Sequence, residues 1–129
     1  MAEGEITPSV KNFIHQHINS VEQLEVLLWM LTRADKEWSA ETVSRELYIQ
    51  VASAATRLAD LQRCRLLQAS QSTPSMYRYA PAESALDAAA REVASAYSVR
   101  RVGIINLILE RPLDNVRVFS DAFRFRRKD

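Results

Sequence analysis

Apolar residues in the middle of this chain repeat first at one period and then at another, and that switch limits what it can fold into. Val51, Ala54, Leu58 and Leu61 recur every three or four residues, the spacing of one helix face. Residues 66–70 and 76–80 then read as two short strands, joined by the polar, turn-forming Gln71-Ser72-Thr73-Pro74-Ser75. Upstream, Ser39 stands where an N-cap belongs for residues 40–47, whose Val43 and Leu47 face inward, and Tyr48-Ile49-Gln50 is a tight connection. Further back, Ser20 with Gln23 three residues on makes a capping box. It opens a helix carrying Val21, Leu24, Leu27, Leu28 and Leu31 along one stripe, and Trp38 is expected in a brief strand. The order is helix, helix, helix, hairpin across residues 21–81.

Three segments in that stretch carry a family resemblance. Ser44-Arg45-Glu46-Leu47-Tyr48-Ile49, then Ala54-Ala55-Thr56-Arg57-Leu58-Ala59-Asp60-Leu61, then Arg65-Leu66-Leu67 resembles the helix-turn-helix of MarR-type winged-helix transcriptional regulators. In that pattern a helix ends on Leu, a short turn follows, and the second helix holds two leucines three apart before a Gly-Leu pair starts the wing. One departure stands out: Arg65 occupies the glycine position. The resemblance implies that the second helix enters a DNA major groove while the hairpin lies along the backbone or in the minor groove. On this chain the groove-facing positions would then be Ser53, Ala55, Thr56 and Arg57, with Gln50 at the helix start. Arg57 would pair with a guanine edge or a phosphate, Gln50 would read adenine, and Arg63, Arg65 and Arg78 would neutralise phosphates.

The residues also support a second reading. That helix is rich in alanine (Ala52, Ala54, Ala55, Ala59), and the wing tip holds no Lys or Arg. Few phosphate contacts mean a small counterion-release contribution to affinity. A smooth helix of this kind suits protein docking, so a winged-helix adaptor is the alternative to a DNA-binding regulator.

Charge is unevenly spread along a chain of net charge +1. Residues 1–97 hold nine Lys/Arg against twelve Asp/Glu, and residues 98–129 hold eight against four. The strongly basic footprint of many nucleic-acid binders is therefore missing. Residues 50–80 are locally basic, with four arginines against Asp60.

Outside the middle, Val10, Phe13, Ile14 and Ile18 give residues 8–18 a short amphipathic first helix. After Pro81 one long helix is expected over residues 83–110, and a last helix over 113–125 ends in Arg126-Arg127-Lys128. Residues 102–109 are apolar nearly all round, whereas a surface helix shows a single apolar face. Val102, Ile104, Ile105, Ile108 and Leu109 are accordingly expected to join two copies of the chain. Gly103 would allow close helix approach, and Asn106 would fix register. The intramolecular alternative covers that second face with the N-terminal helix around Phe13 and Ile14. The basic end would meet DNA, an acidic partner or a membrane surface, or stay solvated.

Catalytic chemistry finds no foothold in the sequence. His15 and His17 point about 200° apart on a helix and cannot share a metal ion. Cys64 is the single cysteine, so no internal disulfide forms; it is read as a structural thiol. Gly4 and Gly103 are the only glycines, which rules out phosphate-cradling loops. With no cofactor motif, no signal segment and no membrane-length apolar run, the expected protein is a cytoplasmic non-enzyme. Its expected fold class is mainly α with a small β-hairpin. Residues 1–81 would form the winged helix-turn-helix with an N-terminal helix, and residues 82–129 a C-terminal helical dimerisation extension packed into the same unit. A bacterial-type transcriptional regulator bound to double-stranded DNA as a homodimer is the function this implies.

Overall fold

Ser20 and Ser39 do the capping that the sequence assigns them. In the computed structural model, which describes residues 6–110, Ser20 Oγ accepts from the Gln23 backbone N–H at 3.0 Å and opens α2 (Val21–Leu31). Gln23 answers with both ends of its amide: Oε1 accepts from Asn19 N–H at 2.7 Å, and Nε2 donates to the His17 carbonyl at 2.8 Å. The amide thus staples α2 to the end of α1 (Pro8–His17) and accounts for a fully buried glutamine. Ser39 Oγ accepts from Thr42 N–H at 3.2 Å and starts α3 (Ala40–Leu47).

α2 is the central element. Gln23, Leu24, Val26, Leu27, Trp29 and Met30 are all buried, so the helix is covered on most sides and not along one stripe alone. That is the expected burial for a helix apolar around its circumference. α3 and α4 (Val51–Arg63) pack on each other, and α4 packs on α2 through Ala54, Leu58 and Leu61. The strand at Trp38 forms as β1 (Trp38–Ser39). It pairs with β3 (Met76–Tyr79), which pairs in turn with β2 (Leu67–Ala69), giving an antiparallel sheet in the order β1-β3-β2. Trp29 and Trp38 meet edge to face at 5.0 Å, and Trp38 Nε1 donates to the Arg33 carbonyl, locking β1 to the end of α2.

The long helix expected over residues 83–110 is two helices, α5 (Ser84–Val99) and α6 (Arg101–Leu109), broken at Arg100, whose φ of −123° and ψ of 52° leave the helical region. α1 lies against both α5 and α6, and Ile104 and Ile108 are buried in the same core as Phe13 and Ile14. Two buried phenols tie α5 inward. Tyr97 Oη donates to Glu25 at 2.6 Å, and burial with that carboxylate pushes its pKa up to about 12. Tyr79 Oη donates to Asp87 at 2.6 Å, with the phenol raised further by burial and the carboxyl lowered by the bond. The helix expected over 113–125 and the basic end lie outside the described residues. No helix among those described is long and apolar enough to cross a membrane.

Candidate nucleic-acid interface

Three elements in sequence order are candidates for the interface: the α3–α4 turn, the outer side of α4, and the β2–β3 hairpin that follows it. Ala54, Leu58 and Leu61 define the inner side of α4. At about 100° per residue the opposite side carries Ala52, Thr56, Ala59 and Arg63. Ala52, Ala55, Thr56 and Arg63 are exposed, while Ser53 and Arg57 are half-buried on a flank. Gln50 is the N-cap residue of α4, exposed, and makes no side-chain cap bond.

The arginines read as DNA contacts are mostly engaged within the chain. Arg57 Nε donates to Glu22 Oε1 on α2 at 2.7 Å, with both side chains about seven-tenths covered (27% and 29% exposed). Arg57 thus lies on the α2 side of α4, away from its outer face. Arg63 donates to Asp60 on the same helix. Arg78 stands on the exposed side of β3, between half-buried Tyr77 and buried Tyr79, and donates to the Ala34 carbonyl at 3.2 Å. The wing tip, residues 70–75, is held by serine contacts: Ser70 Oγ shares a hydrogen bond with Ser72 Oγ at 2.7 Å and accepts from Met76 N–H at 3.0 Å.

Arg65 keeps the backbone conformation of the glycine pattern without its residue. Its φ of +68° is left-handed, and it closes α4 with two backbone bonds, Arg65 N–H to the Gln62 carbonyl and Leu66 N–H to the Leu61 carbonyl. This is a Schellman closure with arginine at the position glycine favours. The exposed side chain leaves at the start of the wing.

Two features of this candidate interface escaped the sequence reading. Glu22 sits 35 residues from Arg57, and no local pattern could pair them. Tyr48 takes a left-handed conformation at φ 59° and ψ 44° with 94% of its surface exposed. The tight connection after α3 is the local signal that could have pointed to a left-handed residue here.

The residues expected to join copies divide. Ile104 and Ile108 are spent inside the chain, with Ile105 half-buried beside them, while Val102 and Leu109 are each 71% exposed. Gly103 is occupied from within: a Cβ built there would lie 2.8 Å from Ile6 Cδ1, so its missing side chain makes room for the N-terminal segment and not for a neighbouring molecule's helix.

His17 packs its ring edge to face on Phe13 at 5.0 Å, and burial lowers its pKa. Its carbonyl also receives the Cys64 thiol at 3.8 Å. Burial and the Asp60 carboxylate push that thiol up, against a smaller pull from Arg63.

The order α2-β1-α3-α4-β2-β3, with β1 closing the sheet beside β3, defines a winged helix-turn-helix. No family profile and no curated protein matches the chain. Among solved structures it is similar to a MarR family protein from Bacillus stearothermophilus, at 12% identity over 92% of this chain and 80% of that one, TM-score 0.48. A mutant of Lactococcus lactis ZitR is similar at 16% identity over 82% and 73% of the two chains, TM-score 0.45.

Proposed function

We propose that this protein is a winged-helix transcriptional regulator that binds duplex DNA through α4 and pairs as a homodimer through α6. The observation that carries the reading is the presentation of α4. One side is fixed by α2 and α3, while the outer side from Gln50 to Arg63 stands uncovered between a turn and a hairpin. A helix held this way can enter a major groove while the hairpin follows the backbone. On α6, Val102, Ile105, Asn106 and Leu109 fall along one outward stripe that a second copy would cover, and a twofold pair would present two α4 helices to a pseudo-palindromic site.

Fluorescence anisotropy with random and genomic duplexes over a salt series tests the proposal. Salt-dependent binding with a shallow slope is the expected result, because few cations on this face are uncommitted. No binding at low salt overturns it.

A second reading has its own support. The outer side of α4 is mostly alanine, and Arg57, Arg63 and Arg78 are engaged inside the chain. The same face would then dock another protein, and failure of the duplex titration with an intact fold is the result that favours this adaptor role.

A further inference from the structure

The turn between α3 and α4 holds a side chain that neither the backbone nor the core calls for. Tyr48 ends α3 at φ 59° and ψ 44°, a region that strains an ordinary L-residue and that glycine or asparagine enters easily. Burial does not compensate, because 94% of the residue is exposed. The turn around it is firmly pinned. Tyr48 N–H and Ile49 N–H both donate to the Ser44 carbonyl, the latter at 3.1 Å, and Ser44 Oγ donates to the Ile49 carbonyl at 2.6 Å. Ile49 is packed against the core, so the tyrosine ring stands off a rigid base. A strained residue with an unburied aromatic side chain is a mark of a contact made outside the chain.

We infer that Tyr48 is a DNA-backbone contact of the α4 interface, its phenol hydroxyl donating to a phosphate on the strand that borders the groove entered by α4. The inference rests on the DNA reading above. Position favours this partner. Tyr48 lies two residues before the Gln50 N-cap, where a groove-entering helix first passes the backbone, and tyrosine hydroxyls are common phosphate donors. Its neighbours suit the same surface. Arg45 is exposed one turn back on α3, and Gln50 offers an amide on the other side. Because the turn is already rigid, little conformational freedom remains to be lost on binding.

Thermal melting and duplex anisotropy on wild type, Tyr48→Gly, Tyr48→Asn and Tyr48→Phe test this together. Gly and Asn are expected to melt at or above the wild-type temperature, since both tolerate the left-handed turn, while binding duplex about tenfold more weakly. Phe keeps the ring and backbone, so it is expected to melt like wild type and lose several-fold in affinity. Wild-type affinity in Gly and Asn overturns the inference, as does a clear drop in their melting temperatures, which would make Tyr48 a packing residue. Loss in Gly and Asn with full affinity in Phe overturns the phosphate contact. A wild-type protein that binds no duplex overturns the DNA reading and this inference with it, and is distinguishable because no variant is needed to see it.

Discussion

Arg57 Nε donates to Glu22 Oε1 across the α2–α4 contact at 2.7 Å, so an arginine that the helix-turn-helix pattern aims at a groove is held on the inner flank of its helix. The bond uses Nε, which leaves the terminal amino groups able to reach a second acceptor. Removing either partner is expected to lower stability by less than about 1 kcal/mol, the range of partly solvated pairs. Their effects on DNA should diverge. Arg57→Ala is expected to change duplex binding little, because the wild-type guanidinium is held on the α2 side of α4, away from its outer face. Glu22→Gln, by freeing the guanidinium, should tighten binding and steepen its salt dependence. Anisotropy titrations of both variants check this; equal affinities in wild type and Glu22→Gln would mean that Glu22 does not compete with DNA.

Replacing Arg65 by glycine should stabilise the protein. Arg65 carries a left-handed φ of +68° at the end of α4. Relief of that strain, less the greater chain entropy of glycine, leaves a gain of about 0.5–1 kcal/mol. Urea denaturation measures it, and an unchanged midpoint would show that the arginine side chain offsets its own strain.

Dimerisation is best probed at Val102 and Leu109. Both are 71% exposed, and each would gain about 1.5–3 kcal/mol if a second copy covered it. Val102→Asp and Leu109→Asp are expected to halve the mass seen by light scattering at micromolar concentration, with the fold retained. Ala88→Asp, at an exposed position of α5, should leave it doubled. A wild-type mass near 14.7 kDa removes the dimer altogether.

Cys64 should react slowly with thiol reagents at neutral pH. Burial and the Asp60 carboxylate raise its pKa, so the thiolate that reacts is scarce. Labelling is expected to accelerate about tenfold per pH unit above neutrality, following the thiolate fraction. Target binding is expected to survive peroxide. Fast labelling at pH 7, with binding lost on oxidation, would make Cys64 a redox-responsive residue.

Glu92 ties the start of α1 to α5 and should give the fold an acid-sensitive edge. Its carboxylate accepts from Ser9 Oγ at 2.6 Å and Thr7 Oγ1 at 2.8 Å, and these bonds, Ser9 first, hold its pKa below the usual glutamate value. A carboxyl lowered on folding stabilises the native state above the unfolded pKa of about 4.3, and that contribution is lost as pH falls through the lowered value. Wild-type melting temperature is therefore expected to drop more steeply than that of Glu92→Gln between about pH 5 and about pH 3. Parallel curves would remove Glu92 from the acid response.

Sequence alone determined the pieces whose energetics are local. Ser20 and Ser39 cap their helices because a hydroxyl two or three residues ahead of a free N–H needs no distant partner. The bounds of α3 and α4 and the two hairpin strands followed equally from period and turn chemistry. Tertiary structure decided whatever depends on which surfaces meet. Nothing near Arg100 marks a break, yet a continuous helix would carry Ile104 and Ile108 past the core that α1 offers them, and burying them outweighs the lost helical continuity. The same packing turned Gly103 toward Ile6 and left Val102 and Leu109 of α6 exposed. Glu22 reached Arg57 only because α2 and α4 cross, and charge pairing between helices distant in sequence leaves no periodic trace to read.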